Sequence, residues 1–173
     1  PEHIESHGSY EAYRDAKLSI ARALSRSHKR ARSIVVNIDD AEGKHFLDAA
    51  HPAEQRPFSL KDAGPFEIKN DGIAFTFDNC RMVSPLVGIF NLSNILAATE
   101  LARALGVDAE VIKRAVETFA GVPGRMEYVR EGQPFDVIVD YAHTPDSLRA
   151  VYEFVKHSQQ IRLCEERSRS GVT

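Results

Sequence analysis

At 173 residues the chain has room for one ordinary domain or parts of two. Hydrophobic side chains make up 43% and charged ones 27%, a globular balance that excludes a disordered chain, and no apolar run approaches the roughly 18 residues of a membrane helix. A net charge of −3 gives no electrostatic basis for nucleic-acid binding, although the C-terminal end is locally rich in arginine, so neither nucleic acid nor membrane is expected as a partner.

The spacing predicts a helix over residues 9–26, where Tyr10, Tyr13, Lys17, Ile20, Ala21 and Leu24 recur at helical steps and Ser9 is placed to cap. Ser33 to Ile38 is a β-branched run and reads as a buried strand. Asp39 and Asp40 end it and can cap a helix over 41–50, which His51-Pro52 stops. Residues 56–86 read as strands. Phe66 to Lys69 and Ile73 to Asp78 flank Asn70-Asp71-Gly72, a hairpin turn signal, and Ile73, Phe75 and Phe77 alternate onto one buried face.

Two helices follow. One, over 91–105, carries the stripe Leu92, Ile95, Leu96, Thr99, Ala102 and Leu105 and ends at Gly106. The other, over 108–119, has Asp108 as N-cap and Val111, Ile112, Ala115, Val116 and Phe119 inward. Gly121-Val-Pro-Gly124 is the strongest linker signal. Strands are expected near 126–130 and 135–140, with Val137 to Val139 as a parallel core strand. Pro145 suits the first turn of a helix over 146–157 whose buried face is Leu148, Val151, Tyr152 and Val155. Ile161 to Leu163 begins a further strand before a polar, aperiodic tail. Strand–helix alternation on both sides of Gly121 gives an α/β chain of two units. Cys80 and Cys164 fit no metal or disulfide spacing and suggest a reducing compartment.

Four clusters could carry chemistry. His3 and His7, ahead of a helix, could bind a metal, but surface or capping histidines are the commoner case, and Lys17 by itself reads as a solvated helix lysine. Asn91 and Asn94 at a helix start can present amide donors and acceptors to a purine edge, or Asn91 and Ser93 can simply cap. Arg125, beside a flexible linker, suits a bidentate phosphate clamp or is an exposed linker arginine. Asp140 and His143 follow a strand and precede a helix N-terminus, where open α/β sheets bind ligands and favour phosphate, or Asp140 caps that helix.

Gly88-Ile-Phe-Asn-Leu-Ser-Asn-Ile-Leu-Ala-Ala98, Gly121-Val-Pro-Gly-Arg-Met-Glu127 and Asp140-Tyr-Ala-His-Thr-Pro-Asp-Ser-Leu148 resemble blocks of the Mur ligases, the ATP-dependent amide-forming enzymes of peptidoglycan synthesis. So does His3-x3-His7-Gly with Tyr13-Arg-Asp-Ala-Lys17, followed by Val36-Asn-Ile-Asp-Asp40, and order and spacing agree over about residues 1–157. The resemblance implies an α/β fold in which 1–121 is the C-terminal part of a central, P-loop ATPase-like ATP-binding domain. Residues 122–173 are then the truncated beginning of a Rossmann-like C-terminal domain. It implies a cytoplasmic ligase that adds the third amino acid, diaminopimelate or lysine, to UDP-N-acetylmuramoyl-L-alanyl-D-glutamate through an acyl phosphate, with ATP and two magnesium ions. By position, Lys17 is a catalytic lysine that carbon dioxide carbamylates into an anionic oxygen ligand for magnesium, and His3 is a metal ligand. Asn91 and Asn94 lie beside the adenine, Arg125 contacts the ATP phosphates as a catalytic residue, and Asp140 and His143 belong to the segment that closes over the nucleotide. A related amide ligase, such as cyanophycin or folylpolyglutamate synthetase, or a non-catalytic remnant acting as a binding module, shares parts of these blocks.

The match departs from the family in three ways. No Gly-x-x-Gly-Lys-Thr/Ser phosphate loop occurs in the chain, no UDP-sugar-gripping domain is represented, and the tail from Cys164 does not continue the family's next strand. The chain also opens at Pro1 within a motif. The expectation is a fragment of a longer ligase, inactive by itself.

Overall fold

The computed structural model describes residues 8–29, 32–51 and 53–157. His3, the strand expected at 161–163 and the tail lie outside the described residues. Helix α1 (Tyr10–Ser25) starts where Ser9, in extended conformation, accepts the amide of Ala12 on its Oγ at 3.1 Å. It buries Leu18 and Ala21 but leaves Ile20 73% exposed, so the inward face is narrower than the spacing predicts.

Strand β1 (Ser33–Asn37) leads through α2 (Gly43–Ala50) to β2 (Glu54–Phe58), which pairs with β1 in parallel from Ser33↔Glu54 to Asn37↔Phe58. β2 begins ahead of the strand region read from sequence, because Glu-Gln-Arg-Pro-Phe has few β-formers. Register makes Pro57 tolerable. The Glu54 amide bonds the Arg32 carbonyl and the Phe58 carbonyl accepts from the Ile38 amide, so the alternate position 57 faces away from β1 and its missing N–H breaks no rung. α1 packs on α2, and Glu42 ties them together. Tyr10 Oη donates to Glu42 Oε1 at 3.1 Å, and Arg14 lies 3.9 Å from Oε2. Neither aspartate caps α2: Asp40 accepts the Glu42 amide in a turn, while Asp39 reaches across to Ser59 and Leu60.

After a single 3₁₀ turn (Leu60–Ala63), closed by a Ser59–Asp62 capping box, the chain forms an antiparallel meander of β3 (Glu67–Lys69), β4 (Gly72–Phe77) and β5 (Cys80–Ser84). The expected Asn70-Asp71 turn joins the first two strands. Asp78 and Asn79, both at positive φ (49° and 59°), make the second turn, the two-residue form that matches strand twist. Gly72 is required by close approach: a Cβ there would lie 2.5 Å from the Ser84 carbonyl oxygen. Phe58, Ile73, Phe75 and Met82 form one side of the core, and Leu92, Ile95 and Leu96 of α3 (Ile89–Ala104) form the other.

α4 (Ala109–Thr118) is capped by Asp108, which accepts the Glu110 amide at 2.9 Å. Of its five residues expected inward, only Ile112 is buried. Val111 and Phe119 stay exposed and line an apolar groove of about 470 Å³ shared with α3. Beyond the linker, β6 (Glu127–Val129) and β7 (Val137–Val139) pair antiparallel, Tyr128 opposite Ile138. The parallel neighbour expected for Val137 to Val139 would come from residues outside the described ones. Among the described residues β7 has only β6 beside it, and Val137 and Val139 are 36% and 45% exposed. α5 (Pro145–His157) buries Val155 and leaves Tyr152 half exposed. Among the described residues no helix is long and apolar enough to cross a membrane.

Candidate functional site

The first wall of the site is the start of α3. Gly88 precedes it at φ 86°, and a Cβ there would lie 2.6 Å from the Phe90 ring, so only glycine lets that ring fold back over the helix start. Asn91 Nδ2 donates to the Val87 carbonyl at 2.8 Å, and Asn94 Nδ2 donates to Asn91 Oδ1 at 3.3 Å. The two amides therefore form a short chain one helical turn apart rather than capping the helix. Asn37, at the C-terminal end of β1, donates to Ser93 Oγ at 3.4 Å and brings the parallel pair to the same helix turn.

The second wall is the linker and the turn after β7. Gly121 and Gly124 adopt φ of 117° and 72°, the Arg125 amide bonds the Val122 carbonyl at 3.0 Å, and the Gly124 amide bonds Glu127 Oε2 at 2.7 Å. Met126 is left-handed (φ 48°) although it carries a buried side chain. Asp140 accepts its amide on Oδ2 at 2.9 Å and the Ala142 amide on Oδ1 at 2.7 Å. Asp140 is thus no helix cap. α5 is closed instead by a reciprocal pair, the Ser147 amide donating to Thr144 Oγ1 and the Thr144 amide to Ser147 Oγ. The Arg125 guanidinium lies 4.6 Å from the centroid of Tyr141, whose 64% exposed ring meets the His143 ring edge-on at 4.7 Å. His143 Nδ1 sits 2.8 Å from the Tyr141 carbonyl, which can only accept, so Nδ1 carries the proton.

These walls enclose a cavity of about 510 Å³ lined by Phe90, Asn91, Asn94, Arg125, Asp140 and His143, among others. Five sequence-predicted residues from three separate blocks thus face one space. A cavity of about 450 Å³ on the other side of the linker shares Asn91 and Arg125 and adds Asp71 and Arg130. Lys17 lines neither cavity: it is exposed on α1, its ammonium 4.5 Å from the Tyr13 ring. Among the described residues no three His, Cys, Asp or Glu side chains gather into a metal site. Sequence reasoning gave Phe90, Met126 and Tyr141 no part. All three stand inside the quoted blocks, and their roles depend on backbone angles and ring packing that residue type alone does not reveal.

Chemically, the cavity offers amide donors and acceptors on one wall and a planar cation on the other, with an aromatic face beside it. That set suits a flat heteroaromatic ring carrying an anionic arm. Just past the end of β1, the Leu60 amide and the Ser59 hydroxyl hold the Asp39 carboxyl below its ordinary value.

Known proteins resemble the chain throughout. The family model described as the Mur ligase middle domain matches residues 1–102, and the one described as the Mur ligase glutamate ligase domain matches residues 124–164. A UDP-N-acetylmuramoyl-L-alanyl-D-glutamate--2,6-diaminopimelate ligase of Syntrophomonas wolfei is 34% identical over 171 residues, covering 94% of this chain and 34% of the relative. A UDP-N-acetylmuramoyl-L-alanyl-D-glutamate--L-lysine ligase of Staphylococcus aureus is 34% identical over 168 residues, covering 90% of this chain and 34% of the relative. The chain spans about a third of the length of these relatives. Among solved structures, MurF from Acinetobacter baumannii superposes with a TM-score of 0.75 at 24% identity, over 89% of this chain and 35% of the other, a likeness of fold alone. A solved UDP-N-acetylmuramoyl-L-alanyl-D-glutamate--2,6-diaminopimelate ligase superposes with a TM-score of 0.65 at 28% identity, over 88% of this chain and 33% of the other.

Proposed function

The chain belongs to the Mur ligase family, and on that premise we propose that it carries the nucleotide-facing part of an ATP-dependent ligase for the third residue of the peptidoglycan stem peptide. The substrates in this reading are UDP-N-acetylmuramoyl-L-alanyl-D-glutamate, ATP and a diamino acid, diaminopimelate or lysine, the two that the similar ligases take by name. A cytoplasmic setting goes with it. The observation that carries the reading is the convergence of Asn91, Asn94, Arg125, Asp140 and His143 on one cavity.

Residues 1–121 act as the ATP-binding side and residues 122–173 as the closing side, with Gly121 to Arg125 as the hinge. Asn91 and Asn94 present donor and acceptor to the adenine edge. Arg125 reaches the phosphates with its planar fork, and its stacking on Tyr141 limits the conformations lost on binding. His143, with Nδ1 committed to the Tyr141 carbonyl, is oriented beside them. The γ-phosphoryl group passes from ATP to the dipeptide carboxylate, releasing ADP, and the incoming neutral amine displaces phosphate and gives up a proton to leave an amide. Carbamylation of Lys17 belongs to the same reading, with His3 as its expected partner. Lys17 lies as an ammonium against Tyr13, and among the described residues no three His, Cys, Asp or Glu side chains gather into a metal site.

Calorimetric titration of the chain with ADP tests the reading. Asn91→Ala and Arg125→Ala are each expected to weaken binding about tenfold, the scale of a charge-assisted or orienting hydrogen bond. Equal affinity of both variants and the parent overturns the site.

A further inference from the structure

We propose that Asp140 is a positioning residue, whose carboxylate locks the backbone on both sides of the Arg125–Tyr141 stack and so aims Arg125 into the cavity. The inference rests on the nucleotide-site reading above and deepens it. Both Asp140 oxygens are engaged by backbone: Oδ2 accepts from Met126 at 2.9 Å and Oδ1 from Ala142 at 2.7 Å. Met126 directly follows Arg125, and Ala142 directly follows Tyr141. One side chain therefore clasps the residue after the guanidinium's bearer and the residue after the ring it stacks on.

The clasp sits where the chain needs it. Met126 has φ 48°, a conformation that side chains with a Cβ avoid, and it is 6% exposed. Nothing about methionine favours that turn, and the charged acceptor on its amide supplies what the residue lacks. The Arg125 amide is held from the other side by the Val122 carbonyl at 3.0 Å. With the backbone pinned before and after, the guanidinium has a fixed base from which to lie 4.6 Å from the Tyr141 ring. A carboxylate offers an acceptor on each of its two oxygens and so serves both amides. An asparagine has one acceptor and turns an NH₂ toward the other amide.

A double-mutant cycle on the chain, with ADP as the probe, separates this role from direct contact. Asp140→Asn is expected to weaken ADP binding about tenfold in the parent and to have no further effect in Arg125→Ala. Losses that multiply in the double variant overturn the proposal, because Asp140 then touches the nucleotide itself. Two readouts need no nucleotide. Amide hydrogen exchange at Met126 and Ala142 is expected to accelerate at least tenfold in Asp140→Asn while Leu96 stays protected, and the Arg125 Nε–H resonance is expected to report a more mobile side chain. Unchanged exchange or an equally rigid Arg125 rejects the clasp even if ADP binds. A parent that binds no ADP rejects the site reading alone, and the exchange and side-chain data then still decide the clasp. If Leu96 loses protection too, Asp140→Glu replaces the asparagine. It keeps charge and both acceptors and is expected to retain slow exchange at Met126, with fast exchange there in a folded variant counting against the proposal.

Discussion

The ammonium of Lys17 lies 4.5 Å from the centroid of the Tyr13 ring, one helical turn earlier on α1. A ring face attracts a cation and repels an anion, so this contact favours the unmodified lysine over a carbamate. Replacing Tyr13 by leucine is expected to raise carbamate occupancy about threefold at a fixed level of isotope-labelled bicarbonate, read as the carbamate carbon signal by NMR. Lys17→Arg should show no signal. Equal occupancy with and without the ring would mean that the contact does not oppose modification.

Asp39 couples acid to stability. Its carboxylate accepts from Ser59 Oγ and the Leu60 amide, both at 2.7 Å, and its pKa is lowered by the backbone bond first and the hydroxyl second. A depressed folded-state pKa gives stability that is complete above the unfolded value and is lost as pH falls through the folded one. The denaturation midpoint should therefore drop more steeply in the parent than in Asp39→Asn as pH falls through and below the ordinary carboxylate range, because the variant's curve lacks this proton uptake. Parallel curves for the two proteins would show that the linkage lies elsewhere.

Gly88→Ala strains the site twice, through φ 86° and through a Cβ placed 2.6 Å from the Phe90 ring. The expected cost is about 1–3 kcal/mol, with weakened ADP binding as Phe90 is pushed out of place. In a Phe90→Ala background the steric part disappears and the backbone part remains, so the glycine effect should shrink but not vanish. Thermal melts of the four proteins decide it.

Phe75 and Val111 should respond very differently to truncation. Phe75 is fully buried between the meander and α3, and its change to alanine is expected to cost about 3–5 kcal/mol. Val111 lines the open apolar groove and should change stability by less than about 0.5 kcal/mol when cut to alanine. A costly Val111→Ala would show that the groove is filled in solution.

Local signals carried much of the fold into view. The Ser9 and Asp108 caps, the Asn70-Asp71 turn and the Ile73, Phe75, Phe77 alternation all depend on contacts within a few residues, and the structure contains them. The start of β2 and the pairing partners of β2 and β7 are not legible in sequence, because each depends on which strand lies alongside rather than on its own residues. The apolar stripe of α4 is buried at Ile112 and partly at Val116 but open at Val111 and Phe119, since periodicity reports a face and not what covers it. At the site, the block resemblance gathered Asn91, Arg125 and His143, which the structure brings to one cavity. The clasp by Asp140 was invisible, because it needs the backbone angle of Met126.

The β1–β2 ribbon has a practical outcome for anyone concentrating the chain. Among the described residues neither strand has a second strand neighbour, so backbone groups on two rims are open to pairing with another molecule. The rims are not equal. Pro57 turns its ring outward from β2 and offers no donor there, whereas β1 presents the donors of Ser33, Val35 and Asn37. Pro57 removes one donor from the β2 rim, where the Gln55 amide remains, so crowding this chain should favour pairing through β1, the rim with the fuller set of donors.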